Sequence, residues 1–454
     1  MVVGDVTTAV DVLVLGAGPG GYVAAIRAAQ LGRVVTIVEQ GAPGGTCLNR
    51  GCIPLKALLA SSERYYQTRS SELATMGIAT EAVSFDWATM QAWKQGVVGR
   101  LSEGVRRLIA GNHAEYVHGT GWFINDREIR VEGEHGSLRF KFEHCIIATG
   151  ADAVPISHLP YDGKEVLTPE QALQFSELPE TLSVFGDDYI ALELATLFAR
   201  LGVKVKLYVP GEQLLPAVEP AALRLVQAGL RKLGVQVSTK ANIESISDRP
   251  LVVSNGVVPR TVGLHLNDAG IKLSENGGIV VNSMQQSNIP HIYAVGDCTG
   301  GRALATIAIK QGKVAAESLY GQRVQFAPLV TPLVVHTTPE LATVGYSAEE
   351  ATRAGYNIVS GRFPLAANGR ALTLGTDAGV TLVVASADDG VLLGATLVGP
   401  RAGDIIGQVT LAIEMGATLT DVAEILYPHP GLSEALQESA ENTLGRAIHV
   451  LAMK

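Results

Sequence analysis

The sequence predicts an α/β protein that carries one strand–turn–helix–strand motif twice and continues into a C-terminal α+β region. Each motif joins a buried apolar strand to a glycine turn and an Ala- and Leu-rich helix, first at Val12–Leu31 and again at Leu182–Arg200. From about Pro332 onward, short alternating apolar runs indicate antiparallel strands. Two such motifs, about 170 residues apart, predict two Rossmann-like nucleotide-binding domains followed by a separate α+β domain.

The first motif carries the glycine pattern of a dinucleotide site. A strand at Val12–Leu15 and a helix at Tyr22–Leu31 flank a turn that contains Gly16, Gly18 and Gly21. These glycines let backbone N–H groups approach a pyrophosphate at the helix N-terminus. The next strand, Val34–Val38, is followed by Glu39, whose carboxylate is suited to a ribose hydroxyl. The glycines alone also fit an ordinary turn, but strand, helix and acid together favour a dinucleotide cofactor.

Two further buried strands end in residues suited to the same cofactor. They are predicted at Cys145–Ala148 and Ile292–Val295, and their exits carry Thr149, Gly150, Gly296 and Asp297. The glycine motif does not distinguish FAD from NAD. An acid at Asp297 could contact a second polar part of a longer cofactor, which favours FAD, although Asp297 also fits a helix N-cap.

The second motif and the C-terminal region follow the same patterns. The second motif has strands at Leu182–Phe185 and Val203–Val209 around a helix at Tyr189–Arg200. In the C-terminal region the sequence predicts strands at Thr381–Val384 and Leu392–Val398, and helices at Ala402–Met415 and Ser433–Thr443.

Two cysteines separated by four residues, Cys47 and Cys52, follow the first motif. Pro54 suits the first turn of a helix, and a thiolate near a helix N-terminus is stabilised. A disulfide beside a dinucleotide indicates electron transfer between sulfur and cofactor, although two buried, reduced cysteines are the structural alternative. The neighbouring residues expected to contact the cofactor are Gly45, Thr46 and Lys56, and Lys56 also fits a solvated helix lysine.

Composition excludes several classes of protein. The chain has 454 residues, 47% of them hydrophobic, and a formal net charge of -9, which disfavours nucleic acid and anionic membranes as partners. No apolar run reaches the length of a membrane span. Four cysteines are not a secreted disulfide scaffold, so we expect a cytoplasmic protein. We expect no metal site.

These motifs fall together in one known family. The stretch GGTCLNRGCIP, followed by Lys56, resembles the redox motif of the class I pyridine nucleotide–disulfide oxidoreductases, and most closely that of the dihydrolipoamide dehydrogenase group. The family usually has Ser where this chain has Leu55. AAIRAAQLG, IIATG and the C-terminal His-Pro…Ser-Glu occur in family order, so the resemblance covers essentially all 454 residues.

The resemblance implies a glutathione reductase-like fold with FAD as cofactor. It implies that Cys52 lies nearer the flavin, while Cys47 exchanges with the dithiol of a lipoyl-bearing protein or a small molecule. It also implies a homodimer, because the family's catalytic base comes from the partner chain. The expected domains are 1–150 and 271–330 for FAD, 151–270 for a domain of NAD-binding type, and 331–454 for dimerisation.

The C-terminal region supplies a candidate base. His429 and Glu434 lie in a stretch that resembles the family's HxHPTLSE motif. Oxidation of a dithiol needs a base to accept a thiol proton, and histidine is suited to this near neutral pH. Glu434 would orient the imidazole and stabilise its cation. Outside the family context, a His-Pro pair near a C-terminus is more often structural or solvent-exposed.

The second nucleotide site departs from the family pattern. Asp188 replaces a turn glycine, Val209 stands where an acid would contact ribose, and Val257 replaces the usual Arg. Asp188 and its neighbour Asp187 place negative charge beside a negative ligand. NAD(H) binding is therefore doubtful, whereas Glu193 remains where the family's acid pairs with the flavin-side lysine, Lys56. The alternative is that Asp188 is tolerated through a shift of the turn and that the site still binds NADH weakly.

Three hypotheses follow. In the first, electrons pass from a dithiol through the Cys47–Cys52 disulfide and FAD to NAD. In the second, the same dithiol reaction feeds an acceptor other than a nicotinamide. In the third, the chain is a weakly active FAD-binding subunit kept for assembly, and the intact Cys47, Cys52 and His429 disfavour this.

Overall fold

The computed structural model describes residues 7–134 and 136–451. Their contacts divide the chain into two compact units. Unit 1 comprises the described residues up to Ala57 together with Thr89–Ile156 and Gly256–Ala327. Unit 2 comprises Leu58–Ala88, Ser157–Asn255 and the described residues from Pro328 onward. The expected domain boundaries at 150, 270 and 330 stay predictions.

Strands and helices alternate along most of the described chain. The strands are β1 (Thr7–Leu15), β2 (Val35–Glu39), β3 (Glu115–His118), β4 (Thr120–Asn125), β5 (Glu128–Gly133), β6 (Gly136–Ile147), β7 (Ala151–Ala153), β8 (Val166–Leu167), β9 (Thr181–Phe185), β10 (Lys204–Tyr208), β11 (Gln236–Ser238), β12 (Leu251–Val253), β13 (Val257–Pro259), β14 (Ile292–Ala294), β15 (Leu333–Val335), β16 (Leu341–Gly345), β17 (Ile358–Pro364), β18 (Val380–Ser386) and β19 (Leu392–Val398). The helices are α1 (Pro19–Gln30), α2 (Gly45–Asn49), α3 (Cys52–Thr68), α4 (Glu72–Thr75), α5 (Trp87–Gly111), α6 (Pro169–Ala172), α7 (Tyr189–Arg200), α8 (Pro220–Lys232), α9 (Ala305–Leu319), α10 (Ala348–Arg353), α11 (Gly369–Thr373), α12 (Ala402–Glu414), α13 (Leu419–Glu424) and α14 (Glu434–Thr443).

Unit 1 is built on a seven-stranded sheet with the order β3-β2-β1-β6-β5-β4, in which β14 also pairs with β6. The strands β2, β1, β6 and β14 run parallel, whereas β4 and β5 form an antiparallel extension of β6. Buried residues from β1, β2 and β6, such as Val12, Ile37 and Ile146, form the core on one face. Helix α9 approaches α1 so closely that a Cβ on Gly312 would lie 2.4 Å from the Gly20 carbonyl oxygen.

Unit 2 contains two sheets. The first is entirely parallel, with the order β11-β10-β9-β12-β8, and it is the second Rossmann-like sheet that the sequence predicts. The second is antiparallel, with the order β15-β16-β19-β18-β17. Helices α12, α13 and α14 contribute to its core through residues such as Ile406, Val422 and Leu436. The predicted α+β region therefore forms with the expected antiparallel strands.

Most predicted elements occur within a few residues of their expected ends. Helix α7 has the predicted bounds, and β19 matches the predicted strand. The strand expected at Val12–Leu15 is longer, because its residues from Thr7 onward also pair with β6, beginning opposite Arg139. None of the helices in the described part of the chain is long and apolar enough to cross a membrane.

Candidate active site

The backbone atoms of the first glycine turn lie so close together that only glycine fits at three positions. Gly16 has a φ of +102°, and a Cβ at this position would lie 2.4 Å from the Ala148 carbonyl oxygen. A Cβ on Gly21 would lie 1.9 Å from the Gly16 carbonyl oxygen. Gly45 has a φ of +61°, and its Cβ would lie 2.5 Å from the Gly18 Cα. The cysteine segment therefore packs directly against the turn.

The end of α1 beside this turn is open to a ligand. Gly18 is the N-cap residue, and no side chain caps the helix. A helix N-terminus without a side-chain cap presents N–H groups and positive dipole charge to an anion. The turn thus fits the pyrophosphate of a dinucleotide.

Glu39 lies above the same turn, at the end of β2. Its Oε2 atom accepts a 2.7 Å hydrogen bond from the Ala17 N–H, and its Oε1 atom accepts a 2.9 Å bond from the Gly41 N–H. A carboxylate oxygen has two lone pairs, so both oxygens retain capacity to accept from a ribose hydroxyl. The backbone bonds fix the orientation that such a contact requires.

Strands β6 and β14 lead to the residues predicted for the same cofactor. The Thr149 hydroxyl donates a 2.8 Å bond to the Arg260 carbonyl oxygen, and Gly150 follows with a φ of +76°. The Gly296 N–H donates a 2.7 Å bond to Oε1 of Gln311, a residue that the sequence reasoning missed.

Asp297 is half-buried at the exit of β14. Burial raises the pKa of its carboxyl. Among the described residues, none donates a hydrogen bond to this carboxylate. A half-buried carboxylate that keeps its capacity to accept hydrogen bonds fits a site that a hydroxyl-bearing ligand completes. Together with the open turn and Glu39, it makes the residues present a good fit for FAD.

The two cysteines lie on consecutive helices. Cys47 is within α2 and Cys52 is the first residue of α3, so a helix does begin at the second cysteine as expected. Both are thiols in this structure. A hydrogen bond with Cys52 raises the pKa of the Cys47 thiol, burial raises it further, and the charge of Lys56 opposes both effects. The charge of Lys56 is therefore the interaction that favours the Cys47 thiolate.

Unit 1 brings several predicted residues together at the thiols. Lys56 and Asp297 both act on Cys47 through their charges, in opposite directions. Tyr22 is a further neighbour, because burial and then the charge of Cys47 raise the pKa of its phenol. The sequence reasoning missed Tyr22. Its position directly after the last glycine of the turn was the available signal.

His429 and Glu434 form a hydrogen-bonded pair in unit 2. The His429 Nδ1 atom lies 2.8 Å from Glu434 Oε1, and the imidazole side chain is 83% exposed. The Gly431 N–H donates a 2.7 Å bond to Glu434 Oε2. Burial would raise the pKa of Glu434, but the Gly431 N–H and then His429 outweigh it, so the pKa is lowered. The exposed ring keeps its Nε2 edge available for a proton.

A second pair of this kind joins α14 to the segment that follows it. His449 Nδ1 lies 2.5 Å from Oε1 of Glu438, one turn beyond Glu434 along α14. The sequence reasoning missed this pair, because His449 lies outside the family motif. It offers a natural control for the His429–Glu434 pair.

The second glycine turn differs from the first. Asp188 caps α7 with its own side chain, whose Oδ1 atom accepts a 2.9 Å bond from the Ala191 N–H. Val209, after β10, is completely buried, and its N–H donates to the Ser238 carbonyl oxygen at 2.8 Å. Val257 lies in β13, which pairs with β7 in unit 1.

Glu193 is completely buried in α7 and accepts a 3.0 Å bond from the His336 N–H.

Comparisons with known families cover most of the chain. Residues 10–312 match the family described as pyridine nucleotide-disulphide oxidoreductase. Residues 331–440 match the dimerisation domain of the same family. The matched stretches contain the first turn, both cysteines, Asp188 and the His429–Glu434 pair.

Curated relatives are similar over their full length. The chain is 40% identical to the dihydrolipoyl dehydrogenase of Geobacillus stearothermophilus, over 99% of this chain and 100% of the relative. It is 38% identical to that of Bacillus subtilis and 40% identical to that of Haloferax volcanii, with the same coverage.

Solved structures share the fold. The HOCl-induced flavoprotein disulfide reductase RclA of Escherichia coli, solved as a Cu(II) complex, superposes with a TM-score of 0.85 at 26% identity, over 96% of this chain and 99% of that chain. LpdA of Mycobacterium tuberculosis superposes with a TM-score of 0.89 at 24% identity, over 95% and 99% of the two chains.

Proposed function

Since the chain belongs to the pyridine nucleotide–disulphide oxidoreductase family, we propose that it oxidises dihydrolipoyl groups and passes the electrons through Cys47–Cys52 and FAD to NAD⁺. It is an FAD-dependent dithiol/disulfide oxidoreductase of the dihydrolipoamide dehydrogenase type. The observation that carries the dithiol/disulfide chemistry is the hydrogen-bonded Cys47–Cys52 pair packed beside the open first turn. The names of the curated relatives point to the dihydrolipoyl group.

The sulfur chemistry balances with the residues present. One substrate thiolate attacks Cys47 in the Cys47–Cys52 disulfide, forms a mixed disulfide and releases the Cys52 thiolate. The second substrate thiol loses its proton to a base and attacks the substrate sulfur that is bonded to Cys47, which breaks the mixed disulfide and releases Cys47 as a thiolate that takes up a proton. The substrate leaves as a disulfide, and the cysteine pair holds two electrons.

Each remaining residue has a defined task. His429 accepts the substrate thiol proton, and Glu434, which is ionised at neutral pH, orients the imidazole and stabilises its cation. Lys56 places a positive charge near the thiols and favours the thiolate. The residues that would hold FAD all lie in unit 1, and they are Gly16, Gly18, Gly21, Glu39 and Asp297, with Gly45, Thr46, Thr149, Gly150 and Gly296 shaping the site. When bound, FAD supplies the two-electron acceptor for the reduced cysteine pair.

The working form is proposed to be a homodimer in which His429 serves the cysteines of the partner chain. The match of residues 331–440 to a dimerisation domain supports the dimer. The proposed substrate partner is a lipoyl-bearing protein. NAD⁺ is favoured over another acceptor because the family description names a pyridine nucleotide. Catalysis is favoured over an assembly role because Cys47, Cys52 and His429 are all present. A cytoplasmic location stays a prediction.

Subunit complementation tests this arrangement. Cys47→Ser and His429→Gln, each inactive alone in NADH formation from dihydrolipoamide, are co-expressed with different tags. If each site joins the cysteines of one chain to the histidine of the other, the mixture regains about a quarter of wild-type activity. A mixture that forms heterodimers but regains no activity would show that the base acts within its own chain.

A further inference from the structure

We propose that Asp188 weakens the binding of the nicotinamide dinucleotide, because its carboxylate bonds to the end of α7 that the pyrophosphate would need. This rests on the proposed function, since it concerns how the electron acceptor binds. The affinity for NAD(H) at this turn is on the order of 10- to 100-fold lower than glycine at the same position would allow.

The two glycine turns of the chain differ at the residue that caps the following helix. Gly18 caps α1 without a side chain. Asp188 caps α7, and its Oδ1 atom accepts a 2.9 Å bond from the Ala191 N–H. A pyrophosphate binds a helix N-terminus through N–H groups of this kind. At α7 the chain's own carboxylate has therefore taken a bond that the ligand would otherwise form.

Ser254 holds the Asp188 side chain in this position. Its hydroxyl lies 2.9 Å from Oδ1 and 2.8 Å from Oδ2 of Asp188. Ser254 is itself buried directly after β12, and its N–H donates a 2.8 Å bond to the Phe185 carbonyl oxygen. The Ser254 carbonyl oxygen lies so close to the turn that a Cβ on Gly186 would be only 2.4 Å from it. Rotation of the Asp188 side chain away from α7 would break its bonds to the Ala191 N–H and to the Ser254 hydroxyl.

The charge at the turn acts in the same direction. Burial raises the pKa of the Asp188 carboxyl, the Ala191 N–H and the Ser254 hydroxyl oppose this, and the charge of Asp187 adds to the rise. A carboxylate that is already desolvated next to another acid is a poor neighbour for a pyrophosphate. The like charges repel, and neither can recover full hydration.

Strand β10, which follows α7, gives independent support for weak NAD(H) binding. In the first motif, Glu39 ends β2 and is held over its turn by two backbone N–H groups. In the second motif, the residue after β10 is Val209, which is completely buried and carries no polar group for a ribose. The preceding Tyr208 hydroxyl is bonded to Asp248 at 2.7 Å. The second site thus lacks the compensating contact that could offset Asp188.

Calorimetric titration of the oxidised, FAD-loaded enzyme with NAD⁺ tests the inference. Asp188→Gly should bind NAD⁺ at least tenfold more tightly than the wild type. Asp188→Asn keeps an oxygen that can cap α7 and accept from Ser254, so it covers the case in which the glycine variant does not fold. It should improve affinity by a smaller factor. Unchanged or weaker binding in the variants that fold would overturn the proposal.

Asp187→Asn is the matched control, because it removes an adjacent charge without removing the cap. It should change the affinity much less than Asp188→Gly does, and a gain equal to that of Asp188→Gly would overturn the inference, because general charge and not the cap would then set the affinity. Reduction of the wild type by dihydrolipoamide without NAD⁺ tests the proposed function separately. A wild type that already binds NAD⁺ as tightly as Asp188→Gly would also overturn the inference.

Discussion

The Nδ1 atom of His429 lies 2.8 Å from Oε1 of Glu434, and the Gly431 N–H holds the other carboxylate oxygen at 2.7 Å. The acid is thereby fixed from two sides, while the imidazole remains exposed. This geometry suits a base whose outer nitrogen receives a proton and whose inner nitrogen is anchored. Both residues belong to the same chain, so the contact needs no atom of a partner chain.

Glu434→Gln should slow dithiol oxidation without unfolding the protein. The amide oxygen still accepts from the Gly431 N–H, but the charge that stabilises the imidazolium is lost. We expect a fall on the order of tenfold in the rate of the dithiol half-reaction, and on the order of 10² or more for His429→Gln. Stopped-flow mixing with dihydrolipoamide measures both. His449→Gln removes the bond between His449 and Glu438 of α14, and an equal loss there would contradict the assignment of the base.

Gly18→Ala should lower FAD affinity while the protein still folds. The added Cβ would lie 3.8 Å from the Gly45 Cα, an ordinary contact, and Gly18 has a negative φ of -68°. The methyl group would instead fill the space through which the pyrophosphate approaches α1. FAD content after dialysis should fall, while circular dichroism stays close to the wild type. Gly99→Ala, on α5 with open space around it, is the control and should retain FAD.

Asp297→Asn should stabilise the FAD-free protein at pH 7 and weaken FAD binding. Burial raises the folded-state pKa of Asp297, so ionisation costs the FAD-free protein stability above the unfolded-state pKa of about 3.9. As the pH falls from 7 through the folded-state pKa, the wild type protonates and the advantage of the variant should shrink. Urea unfolding of the two apoproteins between pH 7 and 4 measures this. The exposed Asp377→Asn serves as control, and a difference that is constant with pH would refute the explanation.

Much of the fold follows from local patterns. Helix α7 has its predicted bounds because a glycine turn precedes its start, apolar residues fill most of it up to Arg200, and Gly202 follows its end. The predicted strand at Leu392–Val398 is correct for a similar reason, since its apolar run is bounded by turn residues. The first dinucleotide motif was predictable because its glycines, helix and acid all lie within one short segment.

The residues that sequence reasoning missed depend on contacts between distant segments. Ser254 bonds to Asp188 across 66 positions of the chain, and no local pattern marks it. Gln311 bonds to the Gly296 N–H from the interior of α9, where it looks like any polar helix residue. The sequence shows Asp188 as a departure from the family's turn glycine. That its side chain caps α7 and is held there by Ser254 is visible only in the structure.

The most direct test of the central claim is anaerobic titration of the FAD-loaded enzyme with dihydrolipoamide, followed by flavin absorbance. The wild type should be reduced, whereas Cys47→Ser and Cys52→Ser should lose at least a factor of 10³ in rate, since a single thiol cannot form the disulfide. Cys145→Ala, which alters a buried cysteine of β6, should behave like the wild type. Flavin reduction by dihydrolipoamide that proceeds equally fast in the two serine variants would contradict a route through Cys47 and Cys52.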